Sequence, residues 1–211
     1  AHFVKQCSAL GYNAVTLDDL AHLARHPLHE PEVAQQIEQL RIRFARFFEL
    51  IRETTGMRIF LTSDVIPLTP NIEDKIGEKP DALNEYYRGL VCQILDDFPL
   101  IDGLILRIGE SDGHDVEDPI RTRLHLRNAG ETNRFLRDLL PEFEKRGKTL
   151  VFRTWTVGAH RIGDLIWHRR TLDRTMENID SAHFILSMKH GESDFFRYLA
   201  LNRAFFRVRQ Q

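Results

Sequence analysis

The sequence predicts an α/β fold of the (β/α)8 TIM-barrel type, present as an incomplete barrel of about five parallel βα units. Three observations predict it. Five strand-length apolar runs recur along the chain, amphipathic helical segments lie between them, and each run ends in polar residues. Starts of successive runs are roughly 35–45 residues apart, the length of a βα unit with a decorated loop.

The strands are expected at Asn13–Leu17, Arg58–Thr62, Gly103–Ile108, Thr149–Trp155 and His183–Met188. All are continuously apolar or nearly so, as parallel strands buried on both faces require. The first helix is marked by Val33, Ile37, Leu40, Phe44, Phe47 and Ile51 at helical spacing, with Gly56 as its C-terminal glycine. A second follows from Leu83, Tyr87, Leu90, Ile94 and Phe98. Phe135, Leu136, Leu139, Leu140 and Phe143 give a third, kinked by Pro141 and ended by Gly147. The span Ile162–Ile179 is a fourth, less regular helix. His2 to Leu10 read as the end of a helix belonging to an earlier strand, and Phe205–Arg209 as the start of a sixth strand.

The alternation is unbroken, so residues 1–211 are expected to form a single α/β domain, a fragment of a larger chain whose remaining strands would complete the barrel. A doubly wound nucleotide-binding fold should show a glycine-rich turn after a strand. None follows any strand here. The strand ends carry Asp18-Asp19, Asp64, Glu110-Ser111-Asp112, Thr156 and Lys189-His190 instead, a polar rim of the kind that forms a barrel active site.

Composition narrows the function. Charged residues are 28% and hydrophobic residues 42% of the chain, as in an ordinary globular protein. With a formal net charge of −2 and no long basic run, no nucleic-acid partner is expected. The longest apolar stretches are strand-length, so no membrane partner is expected, and no signal peptide is visible. Compartment is left open. Cys7 and Cys92 sit in helical surroundings at no metal-ligand spacing and read as two buried thiols. Ten histidines are scattered along the chain, and no zinc site or other cofactor is expected.

Glu110 closes the run Gly103–Ile108 and is followed by an acid-rich loop through Asp118. A carboxylic acid at the rim of a sheet is a candidate proton donor; the same loop read alone is a solvated turn or an oxygen-ligand cation site. Asp194, a few residues past the last strand, is a second candidate carboxylate or a helix N-cap. Two carboxylates flanking a sugar are what glycosidic cleavage requires: one protonated to release the leaving oxygen, the other ionised to activate water or attack. Arg107 and Arg153 interrupt apolar strands, and a charge there either pairs with a core carboxylate or faces the mouth to grip a ligand. With Lys189 they suggest recognition of a carboxylate-bearing sugar. Trp155 reads as a stacking platform or a core side chain. Asp19 and Asp64 complete the candidate substrate-binding set.

Four stretches carry a family resemblance: Leu10–Leu17, Asp102–Ser111, the strand around Phe152-Arg153-Thr154, and Met188–Phe195. They resemble, in order, the central barrel of the α-glucuronidases of glycoside hydrolase family 67. The resemblance implies Glu110 as general acid, Arg153 and Lys189 as uronic-acid ligands, and Asp194 as the catalytic base or its partner. A second acid of that family lies on a strand beyond Gln211. In the family the acid stands one residue further from its strand cation, which makes Asp112 a rival to Glu110, and that cation is Lys where this chain has Arg107. The expected activity is inverting hydrolysis of an oligosaccharide or polysaccharide, such as 4-O-methylglucuronic acid-bearing xylan. Three alternatives stand beside it: a retaining hydrolase with its nucleophile on another strand, a non-catalytic carbohydrate-binding barrel, and a metal-dependent enzyme using Asp18, Asp19, Asp64 and Glu110.

Overall fold

The computed structural model describes residues 2–108, 120–122, 125–154, 169–191, 198, 200–206 and 208. Five parallel strands form its sheet: β1 (Ala14–Leu17), β2 (Arg58–Asp64), β4 (Gly103–Arg107), β6 (Thr149–Arg153) and β7 (Phe184–Ser187). Each pairs with the next of the five in chain order. Among the described strands there is thus no reversal of order, the point at which a doubly wound sheet opens its ligand crevice. Two-residue strands β3 (Pro67–Leu68) and β5 (Arg121–Thr122) pair antiparallel beyond the ends of β2 and β4.

Helices α1 (His2–Ala9), α2 (Pro31–Thr55), α3 (Pro70–Ile76), α4 (Pro80–Asp97), α5 (Ala129–Glu144) and α6 (Arg169–Thr175) accompany the strands. Local chemistry sets their limits. Pro31 and Pro80 occupy first-turn positions, where the missing N–H costs nothing. Gly56 ends α2 in the left-handed conformation at φ 66°, its N–H donating to the Arg52 carbonyl. Asn128 caps α5 by accepting from the Glu131 N–H, while the Glu131 carboxylate accepts from the Arg127 N–H. The helix runs through Pro141 to Glu144.

Strand alternation separates two faces. Ile59, Leu61, Leu104, Leu106, Leu150, Phe152 and Phe184 are buried and join Phe48, Tyr87, Ile94, Phe135 and Phe143 in one core cluster. The opposite face carries Phe60, Thr62 and Asp64 on β2, Gly103, Ile105 and Arg107 on β4, and Val151 and Arg153 on β6. None of its apolar side chains belongs to that cluster, and Ile185 on β7 is 45% exposed. Gly103 is required there. A Cβ would lie 1.9 Å from the Thr149 carbonyl oxygen and 2.9 Å from the Phe60 ring. Asp102 ties three strands at this end: its N–H donates to the Ile59 carbonyl, its carbonyl accepts from the Thr149 N–H, and its carboxylate accepts from the Ile59 N–H and pairs with Arg52.

Several expectations change. β2 extends to Asp64, so that residue is the last of a strand rather than part of a loop. The tail is not a strand at Phe205-Phe206; Arg203–Phe206 is a 3-10 turn, set by the Asn202 side chain accepting from the Ala204 N–H. Both cysteines are half-buried rather than buried. Of the fourth expected helix, Arg169–Thr175 is described. No helix among the described residues is long and apolar enough to cross a membrane.

Candidate functional site

The register aligns Asp64 with Arg107, Arg107 with Arg153 and Arg153 with Ser187. Paired residues of parallel strands point to the same side, so this is a polar row at one level across four strand ends, on the face the core cluster does not cover. Below it, Thr62 lies two residues before Asp64 and on the same face.

Arg107 organises the β1–β2 end of the row. Its Nη2 donates to Asp64 Oδ2 at 3.1 Å and its Nε lies 2.8 Å from Asp64 Oδ1. That second contact is an ion pair off the hydrogen-bond axis between two solvent-inaccessible atoms. Nη1 is 3.6 Å from Asp18 Oδ1 and Nη2 is 3.8 Å from Asp19 Oδ2. One guanidinium therefore faces three carboxylates. Thr62 Oγ1 also donates to Asp18 Oδ1.

The two aspartates after β1 differ in environment. Asp19 is buried and caps the short 3-10 helix Leu20–His22, its Oδ1 accepting from the Ala21 N–H at 2.6 Å. Burial raises its carboxyl above the usual range and Asp64 adds to this, against the pull of His22, the Ala21 N–H and Arg107. Asp18 instead keeps 67% of its side chain exposed. Burial likewise raises Asp64, opposed by Arg107 and Arg153. Behind them the Tyr87 hydroxyl donates to Ser63 Oγ at 2.7 Å within the core, which fixes the end of β2.

Of the expected site residues, the structure brings together Arg107, Arg153, Asp19 and Asp64. Lys189 follows β7 two residues past Ser187, half-buried, and its carbonyl accepts from the Asn202 side chain. Glu110, Asp112, Trp155 and Asp194 lie outside the described residues. Arg107 is paired, its three nitrogens all facing aspartates of this chain. Among the described residues no three His, Cys, Asp or Glu side chains are grouped to hold a metal ion. Between Asp18, Asp19 and Asp64, the central position is taken by the Arg107 guanidinium.

Thr62 is the residue of this cluster that sequence reasoning did not single out, and Asp18 was weighed only as a metal ligand. Thr62 carried a signal, because period-two alternation places it on the face of Asp64 once β2 is extended by two residues. No family model matches the chain, and no curated protein matches it.

Proposed function

We propose that the chain forms the core of a (β/α)-barrel glycoside hydrolase whose active site lies along the Asp64–Arg107–Arg153–Ser187 row. The row itself carries this reading: carboxylates and arginines stand at one level across the C-terminal ends of adjacent parallel strands, where barrel enzymes hold their chemistry. Sequential strand order supports a barrel over a doubly wound sheet, and β1 and β7 are left as edges on which the remainder of a barrel could pair.

In this reading Glu110, three residues past Arg107, protonates the departing glycosidic oxygen, and Asp194 activates water on the opposite face of the sugar. The described residues supply the surroundings. Burial raises the carboxyls of Asp19 and Asp64, and Arg107 opposes it in both. Arg107 is a positioning residue, held by Asp64, rather than a ligand for a uronic acid. Arg153 and Lys189 are the cations this reading assigns to a sugar carboxylate. The chemistry calls for no cofactor, and its partners are oligosaccharides or polysaccharides rather than nucleic acid or membrane.

The test is release of reducing sugar from glucuronoxylan and from neutral oligosaccharides by the full chain, with the anomeric form of the first product recorded. Inversion is expected, corresponding to carboxyl groups roughly 6.5–9.5 Å apart; retention would correspond to about 5–5.5 Å and move the nucleophile to another residue. Binding without turnover on every substrate would leave a carbohydrate-binding protein in place of an enzyme.

A further inference from the structure

One turn of the connection between β1 and α2 is built on neutral imidazoles. His26-Pro27-Leu28-His29 is a four-residue turn, closed by the His29 N–H donating to the His26 carbonyl at 3.1 Å. The Leu28 N–H donates to His26 Nδ1 at 3.3 Å. That nitrogen is an acceptor, and a proton on it would set two donors against each other. The His26 ring meets the Tyr86 ring of α4 edge-on at 5.0 Å and the His29 ring at 6.0 Å. Tyr86 is itself fixed, its hydroxyl donating to the Pro67 carbonyl at 3.0 Å. His29 Nδ1 is buried with no hydrogen-bond partner, and its residue lines a small cavity with Ala24, Leu68, Thr69, Tyr86 and Leu90.

The groups around the pair do not offset two protons. Glu30 favours a charge on His29, but its Oε1 already accepts from the Asn71 N–H of α3. Arg25, the residue before the turn, directs its guanidinium to Glu38, and His22 of the 3-10 helix acts on Asp19. Tyr86 and Thr69 offer neutral hydroxyls. Burial lowers both imidazoles from the ordinary value of 6.5, and His26 lowers His29 further. We infer that the His26–His29 turn is an acid-released latch, seated on Tyr86 while both rings are neutral and lifted from it when they take up protons. Seating is at full strength above 6.5 and weakens as pH falls through that value toward the lower values of the seated rings. The moving part is short, because Gln93 of α4 clamps Arg25 by accepting from its N–H and donating to its carbonyl. Release is independent of any reaction at the rim.

Amide hydrogen exchange of the full chain tests it, read at Leu28 and His29 from about pH 8 to about pH 5 and corrected for the intrinsic pH dependence of exchange. Protection should be constant above about pH 7 and then fall by roughly 10- to 100-fold per pH unit, tenfold for each proton taken up. Leu139 and Leu140 in α5 should keep theirs over the same range. His26→Asn retains a side-chain acceptor for the N–H two residues on, without a titrating ring. In that variant Leu28 should stay protected to lower pH, and adding His29→Gln should flatten the profile. Parent protection that stays constant down to about pH 5, a fall matched at Leu139 and Leu140, or an undiminished fall in the double variant overturns the latch.

Discussion

Asp19 holds a buried carboxyl at a cost in stability. Its carboxyl is buried and raised, so folding favours the protonated form. Stability from that form is fully present below the unfolded value near 3.8 and is lost as pH rises through the higher folded value. Asp19→Asn keeps an oxygen for the Ala21 N–H and removes the buried charge. Its thermal midpoint should therefore exceed the parent's at pH 7, and the difference should vanish below about pH 3.8. A lower midpoint for the variant at pH 7 would mean that the ion pair with Arg107 outweighs burial. The residue scale was only partly legible in sequence. A charge inside an apolar strand announced that Arg107 mattered, but its partner depended on register, which joins residues 43 positions apart in Asp64 and Arg107. Asp18 and Asp19, adjacent in sequence, differ in exposure because one faces the rim and the other caps a helical turn, a difference no spacing rule reveals.

At the scale of elements, close approach and charge pairing fix the strands and helices against one another. Gly103→Ala should cost roughly 3 kcal/mol or more in denaturant unfolding, because the added methyl meets the Thr149 carbonyl of β6 and cannot be relieved by turning a side chain. A cost under about 1 kcal/mol would show that β4 and β6 can separate without loss. Between α4 and α5, Glu142 pairs with Arg88, Lys145 and Arg146. The Arg146 hydrogen bond, with Lys145 assisting, holds its carboxyl down at about 2. Its stabilisation is present above the ordinary value near 4.5 and is lost as pH falls toward about 2. Glu142→Gln should accordingly flatten the acid limb of the stability curve over that window, and an unchanged limb would assign acid sensitivity elsewhere. Long elements were legible because an apolar stripe repeats over several turns of α2, α4 and α5. The β3–β5 pair and α3 were not: two residues show no period, and Pro67 and Pro70 argue against regular structure when read alone.

For the molecule as a whole, the arrangement is a parallel sheet with one face packed under helices and the other ending in a polar row. The sequence carried the order of strands and the polarity of their ends, since continuous apolar runs closing on Asp, Arg and Lys can be counted directly. It did not carry the asymmetry between faces. Alternating residues such as Leu104 and Ile105 are equally apolar, and which of them meets a helix is decided only by packing. Nor did it show that Arg107 would be paired with Asp64. We propose that this rim cleaves a glycosidic bond with Glu110 as its acid. The most direct test is the rate of sugar release by the full chain beside its Glu110→Gln variant, on the best substrate found. A loss on the order of 100- to 10,000-fold is expected; turnover unchanged by the substitution would contradict the account and make Asp112 the next candidate for the proton donor.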